Sequence, residues 1–375
     1  MDTVIVGGGV IGLAIAWRAA VRGLTVTVVD PAPASGASHV AAGMITPVSE
    51  ATYGEEPLLR LGLASRDRYP AFVAELEELT GAATGYRDDG LLQVAFDADD
   101  LAALDELRRF QEAVGVRTEA LTGRDCRRLE PLLAPSVRGG LLAPDDGSID
   151  PRRLCAALLT AVERSGCRLV RDRAAELIVA HDAAAGVRLA GGEELKAEQV
   201  VLAAGCWSGE LAGLPPGTLP EIRPVKGQIL RLRTRTPFLN RCTRGLVKGS
   251  SIYLVPRADG EVVAGATQEE LGFDTKVTAG GLWELLRDAR ELVPGITELE
   301  FAEVVAGLRP GSPDNAPILG PTSLPGLHIA AGHFRSGILL TPVTAEAVAE
   351  TLATGHVPEV AGHFTPERFE RAGHR

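Results

Sequence analysis

The chain has 375 residues, and its 38 Lys and Arg residues against 49 Asp and Glu residues give a formal net charge of −11. This acidic balance, without any basic run, argues against nonspecific binding to nucleic acid, which needs clustered Lys and Arg side chains. A composition of 45% hydrophobic and 23% charged residues excludes a mostly disordered chain, and the length predicts two domains or one large domain with an insertion.

The sequence has no pattern typical of a membrane span, a disulfide framework or a metal site. Its longest apolar stretches, such as Val200–Gly205, are far shorter than the ~20 residues that cross a bilayer. The opening residues lack the basic start of a signal peptide, so we expect a cytoplasmic protein. The seven histidines are dispersed, and the five cysteines lack C-x-x-C spacing: Cys126, Cys155, Cys167, Cys206 and Cys242. We therefore expect reduced thiols and no bound metal.

The first thirty residues predict a strand, a helix and a second strand. Thr3–Val6 and Thr25–Val29 are β-branched and apolar, and Val10–Arg22 between them has helical character. The two strands of such a βαβ unit pair in parallel, and parallel strands are normally buried. We therefore expect this unit to lie at the centre of an α/β domain.

The turn after the first strand has the pattern of a dinucleotide site, since residues 7–12 (GGGVIG) fit G-x-G-x-x-G. Gly7 allows the tight turn, Gly9 lets the backbone approach a pyrophosphate, and Gly12 lets the helix pack on the sheet. The helix N-terminus offers N–H groups and a partial positive charge to the phosphates. Asp30 ends the second strand, where its carboxylate can accept hydrogen bonds from ribose and would repel the 2′-phosphate of NADP. These residues alone do not distinguish NAD from FAD.

Small and polar residues follow the second strand at Ser35–Met44. A run with so little side-chain bulk suits close passage of backbone N–H groups beside a phosphate or a flat ring, although a surface loop is the alternative. Beyond it, helical spacing predicts helices over Leu58–Thr80 and Leu101–Val114, with a strand over Gly90–Phe96 between them. Asp150–Ser165 opens with Asp-Pro, which predicts a capped helix.

The second half of the chain predicts more strands than helices. Six strands are indicated, in chain order Arg168–Arg171, Leu177–Ala180, Gln199–Ala204, Ile229–Thr234, Ser251–Val255 and Glu261–Ala266. The polar connection Ala258–Gly260 favours a hairpin, so the last three predict an antiparallel sheet. Leu282–Leu292 then predicts a helix, and His328–Leu340 a strand and a glycine-rich loop before a last helix at about Thr344–Thr354.

Together these elements predict a mixed α/β (α+β) protein of two domains. Residues 1–80, 145–220 and 305–375 are expected to form a discontinuous Rossmann-type nucleotide-binding domain. Residues 81–144 and 221–304 are expected to form a second, antiparallel-sheet domain that binds the substrate.

Several longer segments are more specific than the glycine turn. Besides residues 7–12, Asp30 and the run Ser35–Met44, they are VVLAAGCWS at Val200–Ser208, PVKGQ at Pro224–Gln228, YLVPR at Tyr253–Arg257, GLRPGSPDNAPILG at Gly307–Gly320 and GHFRSGILLTP at Gly332–Pro342. Over nearly the whole chain these segments resemble the D-amino-acid oxidase family of flavoenzymes. The last two resemble its bacterial glycine oxidases of thiamine biosynthesis.

The resemblance implies an FAD site whose adenine contacts the main chain at Ala175 and whose flavin ring lies along His333–Leu339. The FAD is expected to be noncovalent, because related sarcosine oxidases attach flavin through a cysteine in the C-terminal part of the chain, and this chain has none after Cys242. With the glycine turn, the expected cofactor-binding residues are Gly7, Gly9, Val10, Ile11, Gly12, Asp30, Pro31, Ala37, Ser38, Ala42, Gly43, Met44, Ala175, Ala204, Gly205, His333, Phe334, Arg335, Ser336, Gly337, Ile338 and Leu339.

The resemblance also implies the substrate-binding residues. A carboxylate that enters a dry pocket needs a paired cation, and Arg309 matches the family's anchor, although an arginine in a Pro/Gly turn is otherwise a surface residue. Tyr253 is expected to donate to the same carboxylate, and Arg335 to lie over the substrate. Gln268 stands where glycine oxidases can carry a methionine, which changes the size and wetness of the pocket. His333 needs no role as a base, because hydride transfer requires only a neutral amine.

The expected activity is oxidation of glycine, and of sarcosine or small D-amino acids, by hydride transfer to FAD, with O2 reduced to H2O2. The imino product is expected to supply the thiazole of thiamine, and the resemblance suggests a homotetramer. The amino acid and O2 are the expected partners, with no nucleic acid. Three alternatives remain open: an FAD-dependent D-amino-acid or sarcosine dehydrogenase, an NAD-dependent dehydrogenase, and a catalytically silent FAD-binding subunit.

Overall fold

The structure is a computed structural model, and it describes residues 2–247 and 249–372 of the chain. Nineteen strands occur within these residues. In chain order they are β1 Asp2–Val6, β2 Thr25–Val29, β3 Met44–Ile45, β4 Leu91–Ala95, β5 Glu119–Thr122, β6 Gly139–Ala143, β7 Gly147–Ser148, β8 Arg168–Val170, β9 Ala174–Ala180, β10 Ala183–Leu189, β11 Glu194–Lys196, β12 Gln199–Leu202, β13 Arg223–Arg233, β14 Cys242–Val247, β15 Ser250–Pro256, β16 Glu261–Gly265, β17 Glu300–Gly311, β18 Ile318–Pro321 and β19 Leu327–Ala331.

The same described part of the chain forms nine α-helices. They are α1 Val10–Val21, α2 Gly36–Val40, α3 Glu56–Thr80, α4 Ala98–Ala113, α5 Gly123–Leu129, α6 Pro151–Arg164, α7 Ala279–Leu292, α8 Thr341–Thr354 and α9 Glu367–Ala372. The predicted Asp-Pro start of α6 is confirmed, because the Asp150 carboxylate accepts hydrogen bonds from the amides of Arg152 and Arg153. None of the helices in the described residues is long and apolar enough to cross a membrane.

A six-stranded sheet in the order β18-β19-β12-β1-β2-β8 carries the predicted βαβ unit. The strands β1 and β2 pair in parallel, as do β1 and β12, which confirms the prediction from the first thirty residues. Helices α1, α3, α6 and α8 cover one face through side chains such as Leu13, Trp17, Phe72 and Leu158. On the other face, Val4 packs in one apolar cluster with residues of the small sheet β11-β10-β9.

A second, eight-stranded sheet has the order β17-β13-β16-β15-β14-β4-β6-β5. All its neighbours pair antiparallel except β4 and β14, which are parallel. Helix α7 covers one face, where Leu285 and Leu292 pack with Leu230 and Leu254. The predicted mixed α/β fold class is therefore confirmed. The expected domain boundary at residue 305 falls inside β17.

Several strands were not anticipated from local pattern, and β10 and the early part of β13 show why. The strand β10 (AAAGVRL) contains three alanines, which have low strand propensity, so its position depends on pairing with β9 and on the burial of Val187. The strand β13 begins well before the predicted Ile229, at Arg223, despite Pro224 and Gly227. Its early part pairs with β17, with Arg223 opposite Gly311.

Candidate active site

A cavity of about 1000 Å³ lies between the two large sheets. One wall is formed by the carboxyl ends of β1 and β12 with the start of α1, and the opposite wall by the face of the eight-stranded sheet that α7 leaves open. Ligands of open α/β sheets bind at this edge of the strands. The volume lies at the upper end of the roughly 300–1,000 Å³ that small-molecule and cofactor sites occupy, as an extended dinucleotide requires.

The nucleotide end of the cavity has its hydrogen-bonding groups fixed by the backbone. The Asp30 carboxylate accepts hydrogen bonds from the amides of Gly8 at 2.6 Å and Ala32 at 2.7 Å, so both oxygens are held at the end of β2. The Ser38 hydroxyl accepts a hydrogen bond from the Val10 amide at 3.0 Å, which places Ser38 at the N-terminus of α1. Each Asp30 oxygen keeps a further lone pair for a ribose hydroxyl.

The glycine turn is close-packed as the G-x-G-x-x-G pattern requires. Gly7 has a φ of +112°, and a Cβ there would lie 2.8 Å from the Ala204 Cα atom. A Cβ on Gly12 would lie 3.0 Å from the Gly7 carbonyl carbon and closer still to its oxygen. Gly12 therefore does not line the cavity, and its function is to let α1 start directly beneath the turn.

Three arginines contact backbone carbonyl groups in the segment from the end of α2 to the start of β3. Arg152 Nε donates to the His39 carbonyl at 3.1 Å, and Arg231 Nη2 lies 3.5 Å from the carbonyl oxygens of His39 and Ala41. Arg257 donates to the Ala42 carbonyl. These contacts orient the peptide groups of this segment, which lines the cavity.

The cavity brings together nearly all the residues predicted to bind the cofactor. Besides Gly12, the exception is Ala175: Arg173 and Ala174 line the wall there, and the Ala175 carbonyl accepts a hydrogen bond from the Ala212 amide at 3.1 Å. The predicted residues at the cavity surface are Gly7, Gly9, Val10, Ile11, Asp30, Pro31, Ala37, Ser38, Ala42, Gly43, Met44, Ala204, Gly205 and all of His333–Leu339.

Two glycines of the cavity wall, Gly43 and Gly205, have positive φ values. At Gly205, which has a φ of +58°, no atom of the described residues lies within 4 Å of a Cβ position, so a side chain there would project into open space. At Gly43, with a φ of +83°, a Cβ would lie 2.8 Å from Pro151 Cδ, so this backbone passes too close to α6 for any side chain. Gly43 requires glycine because of this close approach, whereas at Gly205 the positive φ alone favours glycine.

The far end of the cavity holds Arg309, which lies within β17 and opposite Val225 of β13. The alternative of a surface arginine in a turn is therefore wrong. Among the described residues, the Arg309 guanidinium donates to carbonyl oxygens, Thr267 at 3.2 Å and Lys226 at 3.4 Å, and to no carboxylate. A partly buried cation without an acidic partner favours binding of an anion.

Two strand glycines make room for the polar groups at this end. A Cβ on Gly227 would lie 2.6 Å from Arg309 Cζ, so the guanidinium lies across β13 where a side chain is missing. A Cβ on Gly265 would lie 2.5 Å from the Tyr253 hydroxyl oxygen, so the tyrosine lies across β16 in the same way. Sequence reasoning missed both residues. A glycine inside a strand was the available signal, because it often marks a close approach of another group.

The Tyr253 hydroxyl is neutral at physiological pH. Burial raises the pKa of Tyr253 to about 12, against the opposing effect of the positive charge of Arg309. A neutral phenol donates a hydrogen bond, so Tyr253 and Arg309 together offer donors to one carboxylate.

The other two predicted substrate residues also line the cavity. Arg335 Nη2 donates to Glu55 Oε2 at 3.1 Å and to Thr52 Oγ1 at 3.3 Å, so its charge is paired with the segment before α3. Gln268 is exposed at the cavity surface and presents a polar amide there. Of the four predicted substrate residues, Arg309 therefore has the charge best suited to an incoming carboxylate.

We expect Gly227→Ala to lower kcat/KM for an amino-acid substrate on the order of 100-fold, because the new methyl group occupies the place of the Arg309 guanidinium. The backbone of Gly227 needs no left-handed conformation, so the fold should tolerate alanine. Steady-state kinetics with the flavin content as reference would measure the effect. The control is Gly295→Ala, where a Cβ would make only ordinary contacts of 3.8 Å with Phe238. Unchanged kinetics in the Gly227 variant would contradict this geometry.

His333 is buried in the cavity wall, and its Nε2 lies 3.1 Å from Thr344 Oγ1. Burial lowers the pKa of His333 to about 3 and that of His328 to about 4. At pH values between these lowered pKa values and the ordinary 6.5, the two histidines bind protons in the unfolded chain but not in the folded chain.

We therefore expect the free energy of unfolding to fall as the pH is lowered below 6.5, by up to about 1.4 kcal/mol per pH unit for each histidine. Urea unfolding at a series of pH values across this window would measure it. His333→Gln should flatten the dependence, and an equally steep fall in that variant would contradict the assignment.

Within residues 2–247 and 249–372, no group of three or more His, Cys, Asp or Glu side chains is arranged to hold a metal ion. The five cysteines are unpaired thiols.

A family model described as FAD dependent oxidoreductase (DAO) matches residues 2–351. The chain is 36% identical to the glycine oxidase of Geobacillus kaustophilus, over 93% of this chain and 92% of that protein. It is 34% identical to the bifunctional protein ThiO/ThiG of Trichormus variabilis, over 99% of this chain and 55% of that protein. The chain thus spans about half the length of the ThiO/ThiG relatives it matches.

The fold is also similar to a solved structure, that of glycine oxidase from Geobacillus kaustophilus. The TM-score is 0.90 at 33% sequence identity, and the likeness covers 97% of this chain and 98% of that chain. The similarity therefore includes both sheets and the cavity between them.

Proposed function

The chain belongs to the DAO family of FAD-dependent oxidoreductases, and from this premise we propose that it is a flavoprotein oxidase that converts glycine to its imine. Sarcosine and small D-amino acids are proposed as further substrates. The observation that carries the proposal is the placement of Arg309. Its guanidinium has no acidic partner in the part of the chain that the structure describes, and it lies at one end of a cavity whose other end is the dinucleotide turn.

Each residue of the site has a task in this reaction. Arg309 binds the substrate carboxylate, and the neutral Tyr253 hydroxyl donates to the same group. Fixing the carboxylate also fixes Cα, and such orientation supplies much of the rate of a two-reactant step. Asp30 and Ser38 would hold the ribose and phosphate groups of FAD. Bound FAD would supply the hydride acceptor for the Cα hydrogen and the route by which the electrons reach O2 and form H2O2.

No side chain is required as a general base. The substrate enters as the neutral amine, which can lose hydride from Cα without proton transfer to the protein. His333 is hydrogen-bonded to Thr344 and buried, and its lowered pKa keeps it uncharged. Its proposed contribution is to shape the cavity wall along His333–Leu339.

The product imine hydrolyses to glyoxylate in water, or is passed on to thiazole assembly in thiamine biosynthesis. The ThiO names of the relatives support the second fate. Cytoplasmic location and a homotetramer stay predictions. Cell fractionation would test the first and light scattering of the purified protein the second.

Purified protein should be yellow, and anaerobic glycine should bleach the flavin absorbance. In air, each glycine oxidised should yield one H2O2, measured by a coupled peroxidase assay over glycine, sarcosine and D-alanine. Bleaching without peroxide would instead identify a dehydrogenase that uses another acceptor. Flavin that no amine bleaches would identify a silent FAD-binding subunit and overturn the proposal.

A further inference from the structure

Beyond the carboxylate anchor, one row of side chains across the eight-stranded sheet continues the cavity wall. Gln93 of β4 is opposite Arg244 of β14, and Arg244 is opposite Tyr253 of β15. All three side chains line the cavity. Neighbouring strands are about 4.8 Å apart, so the wall extends roughly 10 Å beyond Tyr253 and away from Arg309. Glycine has no side chain or nitrogen substituent that could occupy this space.

Among residues 2–247 and 249–372, the polar contacts of the Arg244 guanidinium are all long. Its Nη2 lies 3.4 Å from Ser251 Oγ, and its Nη1 lies 3.5 Å from the Ser49 carbonyl oxygen and 3.6 Å from Glu50 Oε1. Good N–H to oxygen hydrogen bonds are about 2.7–3.2 Å long. The side chain is 21% exposed, so the guanidinium is partly desolvated and yet free to turn towards a ligand.

The charges of Arg244 and Arg309 act on the same small region. Burial raises the pKa of Tyr253 to about 12, while the positive charges of both arginines lower it and Glu50 raises it. In the sheet, Tyr253 on β15 stands between Arg244 on the neighbouring β14 and Arg309 on β17, and all three residues line one cavity. A ligand with one carboxylate on Arg309 could place a second carboxylate on Arg244, exchanging a 3.6 Å contact with Glu50 for direct charge-assisted bonds.

We propose that Arg244 forms a second carboxylate subsite and that this enzyme also oxidises amino acids that carry a second carboxylate, on the nitrogen or on Cα. The inference rests on the proposed function, because the first carboxylate uses Arg309. For N-carboxymethylglycine, hydride leaves Cα and the imine hydrolyses. The balanced reaction is N-carboxymethylglycine + O2 + H2O → glyoxylate + glycine + H2O2.

Binding is tested on the FAD-loaded enzyme with ligands that have no amine to oxidise. Diglycolate has two carboxylates, and ethoxyacetate is its near-isostere with one. Titrations followed by the change in flavin absorbance should give a Kd for diglycolate at least 10-fold below that for ethoxyacetate. Arg244→Gln should reduce this ratio to less than about 3-fold. Arg233→Gln, on an exposed side chain of the same sheet, is the control.

Glu50→Gln separates a binding role of Arg244 from a structural one. If the Arg244–Glu50 pair only stabilises the fold, Glu50→Gln and Arg244→Gln should both weaken diglycolate binding. If Arg244 is the subsite, removing the Glu50 charge frees the guanidinium, so the diglycolate Kd should fall while Arg244→Gln raises it. Arg244→Lys keeps the charge without the planar fork and should fall between wild type and Gln. Weaker diglycolate binding in the Glu50 variant overturns the proposal.

Turnover identifies where the second carboxylate is accepted. We compare kcat/KM for N-carboxymethylglycine with N-ethylglycine, and for D-aspartate with D-2-aminobutyrate. For at least one of the two pairs, kcat/KM of the dicarboxylate should exceed that of the substrate with one carboxylate by 10-fold or more. The pair that shows this preference tells whether the second carboxylate is accepted on the nitrogen or on Cα. If glycine bleaches the flavin but neither pair shows a preference in the wild-type enzyme, the subsite is wrong and the proposed function stands. If glycine fails as well, the proposed function is wrong.

Discussion

Arg309→Ala should lower kcat/KM for glycine by roughly 100- to 1,000-fold, mainly through a higher KM, while the protein stays yellow. The guanidinium supplies charge-assisted bonds to a carboxylate that has lost its water, each worth about 1.5–3 kcal/mol. Two such bonds near the lower end of this strength, about 3–4 kcal/mol together, correspond to the expected range at about 1.4 kcal/mol per tenfold change. Steady-state kinetics and the flavin absorbance of the purified variant measure the two parts of the prediction.

Two comparisons make this result specific. Arg309→Lys keeps the charge but not the planar fork, so it should recover only part of the lost activity. Arg335→Ala should have a smaller effect on KM, because the Arg335 charge is already paired with Glu55 at 3.1 Å. Unchanged glycine kinetics in Arg309→Ala would remove Arg309 from its role.

Gly12→Ala should abolish FAD binding, so that the protein purifies colourless. The outcome follows from two opposing effects. Alanine favours a helix over glycine by about 1 kcal/mol, which would stabilise α1. The added Cβ, however, would lie 3.0 Å from the Gly7 carbonyl carbon and closer to its oxygen, and this backbone cannot move without displacing the phosphate-binding turn. The steric effect is the larger one.

Gly280→Ala is the matched control. Gly280 also lies in a helix, α7, and a Cβ placed there would have no atom of the described residues within 4 Å. Alanine at this position should leave the flavin in place and raise the free energy of unfolding by about 0.5–1 kcal/mol. The ratio of flavin absorbance to protein reports cofactor retention, and urea unfolding reports stability. A yellow, active Gly12→Ala enzyme would contradict the packing described for the turn.

Local sequence was sufficient wherever a pattern has a single physical explanation. The run of Gly7, Gly9 and Gly12 between a β-branched strand and a helix specifies a parallel βαβ unit with a phosphate-binding turn, because the requirement for close backbone approach is itself local. The Asp-Pro start of α6 and the apolar face of α7 were predictable for the same reason.

Local sequence failed where a strand is stabilised mainly by its partners. The alanine-rich β10 and the early part of β13 have weak strand propensity, and they form because β9 and β17 supply hydrogen-bonding edges. Distant pairing leaves no periodic signal within the segment itself.

The sequence by itself determined that the cofactor is a dinucleotide and which glycines form the turn that binds it, because residues adjacent in the chain form this turn. Tertiary structure alone decided the substrate end of the cavity. Gly227 and Gly265 are important because Arg309 of β17 and Tyr253 of β15 lie across them. The weak pairing of Arg244 with Glu50 likewise follows from the 3.6 Å between the two side chains. Such relations join residues far apart in the chain, and only the packing of the sheets sets the distances on which their energies depend.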